Sequence, residues 1–323
     1  MKRYILKRLF LLIPILFGIT IITFSIIHLT PGGFTTVNMQ MDIRTSPDSI
    51  ARLKSLYGLD KPIHIRYLDW LKRFIFFDFG NSFLDGRPVI KKVLERLPAT
   101  LLLNISALVL EFLFGIIIGV TCAVKRNSIY DTGMTFFTFL GYSIPAFWLA
   151  LILMMIFGVK LNLLPISGIK SVNFDFLSSS EKVMDILKHM ILPVFISAFS
   201  GLAYISRYVK NNMVETLNQQ YIKAAYAKGL SENTIYYKSA LKNSILPIIT
   251  LLGLSLPGLI GGSFIFETIF AWPGMGRLAY EAAINFDYPV IMGVVTMSAF
   301  LTLLGNLLAD ISYAFIDPRI RYK

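Results

Sequence analysis

Apolar residues in this chain come in long, almost uninterrupted runs. Residues 9–29 contain no Asp, Glu, Lys or Arg. Five more runs follow: 99–123 with only Glu111, 133–158 and 190–206 with no charge, 245–268 with only Glu267, and 289–316 with only Asp310. A helix needs roughly 20 mainly apolar residues to cross about 30 Å of hydrocarbon. The pattern predicts an all-α polytopic membrane protein with six transmembrane helices. Pro14, Pro145, Pro193, Pro247 and Pro257 fall within these runs, where membrane helices tolerate them better than soluble helices do. The first run exceeds the 7–15 apolar residues (roughly) of a signal peptide, and no small-residue cleavage site follows it. It is expected to be an uncleaved first helix.

The segments between the runs set the orientation. An even number of spans leaves both termini on one side. If the N-terminus is inside, segments 1–8, 124–132, 207–244 and 317–323 are cytoplasmic, and they hold 15 Lys and Arg. The outer loops 159–189 and 269–288 hold 4 and 1. Short inner loops are the ones enriched in Lys and Arg, so an N-in, C-in topology is expected. The outer loop 30–98 is basic too, but exceeds the roughly 60 residues over which the rule operates. Within it, Ser46-Pro47-Asp48 has the chemistry of a helix start and Gly58 that of a stop, which predicts a short helix over 47–57. Tyr67, Trp70, Phe74, Phe76, Phe77 and Phe79 suit either a helix at the membrane surface or packing onto the outer helix ends. No repeat at a fixed period is visible.

Composition agrees with this picture. Hydrophobic residues make up 55% of the 323, charged residues 15%, and mean hydropathy is +0.65. A soluble domain carries about 25% charged residues, so a soluble enzyme is not expected, and disorder is excluded. The net charge of +12 could mark nucleic-acid binding, but its concentration in short inner segments makes it an orientation signal. A single cysteine, Cys122, rules out an internal disulfide, and His28, His64 and His189 lack metal-ligand spacing. No metal site and no resident cofactor are expected.

The inner loop 207–244 is too patterned for a simple connection. Val214, Leu217, Tyr221 and Ala225 recur at helical spacing. Ala224, Ala225 and Ala227 permit close approach of another surface. Gly229 after Lys228 suits a helix end, and Ser231 can cap a second helix through Ile235, Tyr236 and Leu241. The product is either a helix–turn–helix elbow or an amphipathic hairpin on lipid headgroups. Gly274-Met275-Gly276-Arg277-Leu278-Ala279 fits a dinucleotide-binding pattern but lies outside any βαβ unit. Gly115/Gly119 and Gly258/Gly262 are spaced for close helix packing.

Tyr221-Ile222-Lys223-Ala224-Ala225-Tyr226-Ala227-Lys228-Gly229, followed by Ile245-Leu246-Pro247, resembles the EAA loop of ABC-importer permeases. The glutamate of that motif is Lys223 here. Residues 57–62 (YGLDKP), 78–82 (DFGNS), 87–102 (RPVIKKVLERLPATLL), 271–277 (AWPGMGR), 285–294 (NFDYPVIMGV) and 317–321 (DPRIR) resemble the dipeptide/oligopeptide/nickel branch. The short segment before the first run is similar to that of the first, B-type permease of the pair.

The resemblance implies a type I importer permease fold and import of di- or oligopeptides by alternating access across a bacterial or archaeal cell membrane. It implies a second related permease, two cytoplasmic ATPase subunits that bind ATP and Mg, and an extracytoplasmic solute-binding protein. Lys223, Ala224, Ala225, Ala227, Lys228, Gly229 and Leu230 would couple the permease to the ATPase. The chain itself has no G-x-x-x-x-G-K-[ST] sequence and is expected to have no catalytic site. Membrane lipid is expected as a partner and nucleic acid is not.

Glu111 has no basic residue in any span to pair with, and intramembrane charges are functional by default. It either lines the translocation pathway or bonds to a neighbouring helix. Glu267 and Asp310, near run ends, are expected to anchor at the interface. A nickel or metal-chelate importer of the same branch is one alternative. A proton-coupled secondary transporter using Glu111, Glu267 and Asp310 is another, and a membrane-anchored scaffold is a third.

Overall fold

A computed structural model describes residues 2–29 and 61–316. The expected 47–57 helix, most of the YGLDKP match and the DPRIR match lie outside the described residues, as does the Asp310 side chain. Among the described residues the chain is helical, with one isolated extended pairing, between Asn81 and Pro88.

Helix α1 spans Lys2–Leu29, α2 Ile63–Ile75 and α3 Val89–Val124. Helix α4 spans Ile129–Ser143 and α5 Ala146–Leu153, continuing as a π turn over Met154–Lys160. Helix α6 covers Ser179–Leu217 and α7 Gln220–Ala227. A π turn over Thr234–Ala240 leads into α8, Leu241–Ser244, and then α9, Leu246–Ser255, ends in a 3-10 turn, Leu256–Leu259. Helices α10 (Phe264–Ile269), α11 (Met275–Ile284) and α12 (Tyr288–Ile316) complete the order. Among the described residues four helices are long and apolar enough to cross a membrane by themselves, and up to six spans result if two bent helix pairs each count as one.

Two runs are not straight helices. The run 133–158 turns by 99° between α4 and α5. Pro145 has no N–H to continue the ladder, and Ile144 before it is extended. The run 245–268 does not continue as one helix. It stops at Leu259, after Pro257 and Gly258, and Gly262 takes a φ of +64° before α10 starts separately. Conversely, α6 is far longer than the run 190–206. Ser178 and Glu181 form a capping box at its start, so the polar residues 179–189 are helical too. At the other end the helix continues to Leu217.

Among the described residues, three buried clusters hold the fold. The first joins Phe24 of α1, Trp70 and Phe74 of α2, Val89 and Val93 of α3, Met275 and Leu278 of α11, and Val290 and Met292 of α12. The aromatic residues thus divide between the two readings. Trp70, Phe74 and Phe79 are core, whereas Phe76 is 83% exposed. The second cluster packs the first half of α3 on the middle of α6 and on Trp272. The third packs the second half of α3 on the end of α6, with Ile222, Ile235 and Ile248.

Helices α3 and α6 run parallel and in step. A Cβ on Gly115 would strike Ile205, and one on Gly119 would strike Ser206 and Val209, all under 3 Å for the nearest atoms. One turn earlier, the space over Gly201 is filled by Glu111. Small residues let the two backbones close up, which is how helices associate where lipid removes the hydrophobic drive. Gly258 has no such neighbour and Gly262 is outside a helix, so that pair is a helix break and not a packing pair.

Candidate coupling surface and buried carboxylates

The loop 207–244 folds as an elbow. The stripe Val214, Leu217, Tyr221, Ala225 is not continuous, because α6 ends at Leu217 and α7 starts afresh at Gln220. Val214 and Leu217 still pack inward, but Tyr221 is exposed and Ile222 is the fully buried residue of α7. Asn243 Nδ2 donates to Tyr221 Oη at 2.7 Å, tying α7 to α8.

Gly229 ends α7. Its φ is +75°. Its N–H donates to Tyr226 O at 2.9 Å, and the Leu230 N–H donates to Ala225 O at 3.3 Å. This pair of bonds is a Schellman ending, which glycine enters without strain. A Cβ on Gly229 would meet nothing within 4 Å, so the requirement for glycine is conformational and not spatial. Of the motif residues, Ala225 is half-buried; Lys223, Ala224, Ala227, Lys228, Gly229 and Leu230 are exposed. Lys223, Ala224 and Ala227 lie on α7, and Lys228, Gly229 and Leu230 follow its end, all on a short helix and turn anchored by the buried Ile222.

The elbow's root is braced by charge. Lys210 Nζ contacts Asp131 Oδ1 at 2.5 Å, and the Asn127 N–H donates to Asp131 Oδ2 at 3.0 Å. Asp131 is buried in the first turn of α4. The pair joins α4 to the end of α6.

Glu267 is not an interface anchor. It is 0% exposed. Thr100 Oγ1 donates to its Oε1 at 2.9 Å, and the Arg277 N–H to its Oε2 at 2.9 Å. Thr100 Oγ1 in turn accepts from Met275 N at 2.8 Å. The carboxylate sits against the first turn of α11, where free N–H groups favour an anion. A Cβ on Gly274 would lie 2.4 Å from it, and one on Gly276 would lie 2.6 Å from Phe264 N. The AWPGMGR glycines are therefore spacing residues around a buried carboxylate. Trp272 completes the knot by donating Nε1–H to Ala99 O at 2.8 Å.

Asp287, which the sequence reading passed over, is 1% exposed. It accepts from Ser82 Oγ and, at 3.0 Å, from Phe83 N. It pins the loop 78–88 beneath α12. The DFGNS and NFDYP matches are the two halves of this contact, a signal available only to a reader who pairs them. In the same loop Asp85 meets Lys92 at 3.0 Å. Partial burial opposes ionisation of Asp85, but hydrogen bonds from Lys92, the Arg87 N–H and Ser82 outweigh it and hold its pKa at about 2.

Glu111 is half-buried in the middle of α3. A Cβ on Gly201 would lie 2.2 Å from Glu111 Oε1. No hydrogen bond or ion pair joins its carboxylate to another described residue. The expected bond to a neighbouring helix is thus not among the described contacts. No group of three or more His, Cys, Asp or Glu that could hold a metal occurs among the described residues.

Comparison with known proteins is unambiguous at family level. Residues 115–322 match the family described as "Binding-protein-dependent transport system inner membrane component". Residues 1–104 match the one described as "Binding-prot-dependent transport system membrane comp, N-term". The chain is 42% identical over 323 residues, all of both chains, to the oligopeptide transport system permease protein AppB of Bacillus subtilis. It is 36% identical over 335 residues to the dipeptide transport system permease protein DppB of Alkalihalophilus pseudofirmus, and 37% over 340 residues to DppB of Escherichia coli, again across the full length of each. An array of long apolar helices, an elbow with a Schellman-capped helix, and end-to-end similarity to permeases together place this multi-pass membrane protein in the family of binding-protein-dependent transport system inner membrane components.

Proposed function

We propose that this chain is the permease subunit of an ATP-driven importer that passes di- and oligopeptides across a bacterial or archaeal plasma membrane. The observation that carries the reading is full-length identity of 36–42% to proteins named as oligopeptide and dipeptide permeases. Six spans, with both termini inside, put the elbow in the cytoplasm. A second related permease completes the pathway, a solute-binding protein delivers peptide outside, and two ATPase subunits hold ATP and Mg inside.

The elbow supplies the coupling surface. Ala224 and Ala227 let a partner approach closely, Lys223 and Lys228 present charge, and Leu230 presents an apolar anchor. Ile222 fixes α7 to the third cluster, so force on α7 reaches α3 and α6. ATP-driven closure of the ATPase pair then moves the membrane helices as packed bodies, and the site alternates between the two faces.

Reconstitution with the candidate partners tests this. Uptake of a labelled dipeptide is expected to survive an uncoupler and to stop on ATP depletion. Uptake that follows the proton gradient and ignores ATP would overturn the reading. Mass spectrometry of the ligand carried by the purified binding protein is expected to find peptide; a metal chelate would shift the substrate class.

A further inference from the structure

A crevice runs between α4 and the elbow end of α6. Two adjoining spaces of about 490 and 200 Å³ share Thr135, Phe139 and Lys210 as lining. The larger has the size of a small-ligand site. One part of the crevice is cationic. Lys210 spends a donor on Asp131 Oδ1, and the Asn127 N–H takes Asp131 Oδ2. The Asp131 charge is thereby matched, and the other ammonium donors of Lys210 remain. Arg207 lines the same crevice one turn away, with its guanidinium over the Phe139 ring at 5.9 Å. No carboxylate among the described residues pairs with Arg207. The crevice therefore carries a positive charge that its own side chains leave uncompensated.

The other part is apolar. Phe136 and Leu140, one turn apart on α4, line it and are 66% and 38% exposed. The lining extends along α4 from Asp131 to Ser143, a rise of about 18 Å. One leaflet contributes about 15 Å of hydrocarbon. We propose that this crevice seats an anionic phospholipid of the cytoplasmic leaflet, with its phosphate at Arg207 and Lys210 and an acyl chain along Phe136 and Leu140. This rests on the topology proposed above, which puts the elbow inside. Guanidinium and ammonium donors form charge-assisted hydrogen bonds with phosphate oxygens, and a basic pocket between membrane helices on the cytoplasmic side suits acidic headgroups. A soluble anion would match the cations and leave the apolar wall bare. An apolar helix would cover the wall and bury Arg207 without a partner, which is costly. An anionic lipid satisfies both parts at once, and its headgroup lies beside the Lys210–Asp131 pair that joins α4 to α6.

The test uses the assembled complex in phosphatidylcholine vesicles that contain phosphatidylglycerol with a diazirine on its acyl chain. Photolysis is expected to label the α4 segment 132–143, located by peptide mass spectrometry. Excess unlabelled phosphatidylglycerol should suppress that label, and the same excess of phosphatidylcholine should not. Arg207→Gln is expected to lower it about fivefold, the weight of one basic residue at an acidic lipid surface, with labelling elsewhere on the chain unchanged. Arg207→Lys, which keeps the charge, should retain most of it. A label indifferent to Arg207→Gln would overturn the proposal. So would displacement by inorganic phosphate, which would make this a site for the free anion, and so would absence of label on the segment, which would give the face to a neighbouring subunit. Topology is read separately. In a Cys122→Ala background, Lys223→Cys should resist a membrane-impermeant maleimide applied outside intact cells; reaction there would overturn the topology instead.

Discussion

The two ends of the molecule solve opposite problems. At the α10–α11 end, Glu267 and Asp287 are sealed inside, every oxygen-bearing contact is internal, and glycines 274 and 276 exist to let atoms touch. At the elbow, the family motif is on the outside, and a Cβ on Gly229 would meet nothing within 4 Å. The first end is built to hold still. The second is built to present a face. The same residue type, glycine, therefore answers to space in one region and to backbone conformation in the other, and substitutions separate the two.

The largest effect is expected from Glu267→Leu. Leaving one buried donor unsatisfied costs about 1–3 kcal/mol, and here the Thr100 hydroxyl and the Arg277 N–H both lose their acceptor. Thermal unfolding in detergent should show loss of the folded form; an unchanged midpoint would mean the knot is not structural. Gly276→Ala should follow, at about 1–3 kcal/mol for overpacking, because the new methyl meets the Ser263–Phe264 backbone.

Gly229 should separate function from stability. Gly229→Ala enters a left-handed conformation at a cost of about 1–2 kcal/mol, confined to α7. Gly229→Pro also removes the N–H that bonds Tyr226 O, and Gly229→Asp adds charge to the presented face. Transport is expected to fail in both while the permease still assembles with its partner subunits on size-exclusion chromatography. Normal uptake by both would remove the coupling role of the elbow.

Two smaller effects sharpen the contrast. Asp85 has its carboxyl depressed to about 2, so the folded loop 78–88 gains stability that is fully present above the ordinary value of about 3.9. That gain is lost as pH falls from there through about 2. Protease sensitivity of the loop should stay flat from pH 8 to 5, then rise under acid, and Asp85→Asn should abolish that dependence. The smallest change belongs to Lys223→Glu, which restores the motif's glutamate on an exposed position. Stability should move within about 0.5 kcal/mol, while affinity for the ATPase subunits changes in a pull-down.

The apolar runs were legible in the sequence because lipid imposes a length and a composition that little else imitates. The elbow was legible through its alanines and glycine, although the stripe misassigned Tyr221, since periodicity cannot register a helix that stops and restarts at Asn218. Glu267 was misread because position near the end of a run suggests an interface. Its burial depends on Thr100 and on the start of α11, partners 167 residues before it and ten residues after it. Asp287 was missed for the same reason, its partners lying 204 and 205 residues away. Local pattern reports what a residue resembles, while burial of a polar group reports which distant donors reach it.

The in-step pairing of α3 and α6 has a consequence for how sequence change is tolerated. Glu111 over Gly201, Gly115 on Ile205 and Gly119 on Val209 share one register. A single-residue insertion between Gly201 and Val209 would turn everything beyond it by about 100° and set bulky residues against Gly119. Length in this stretch should therefore be far less variable than residue identity, and a one-residue insertion there should be more harmful than most point substitutions along either helix.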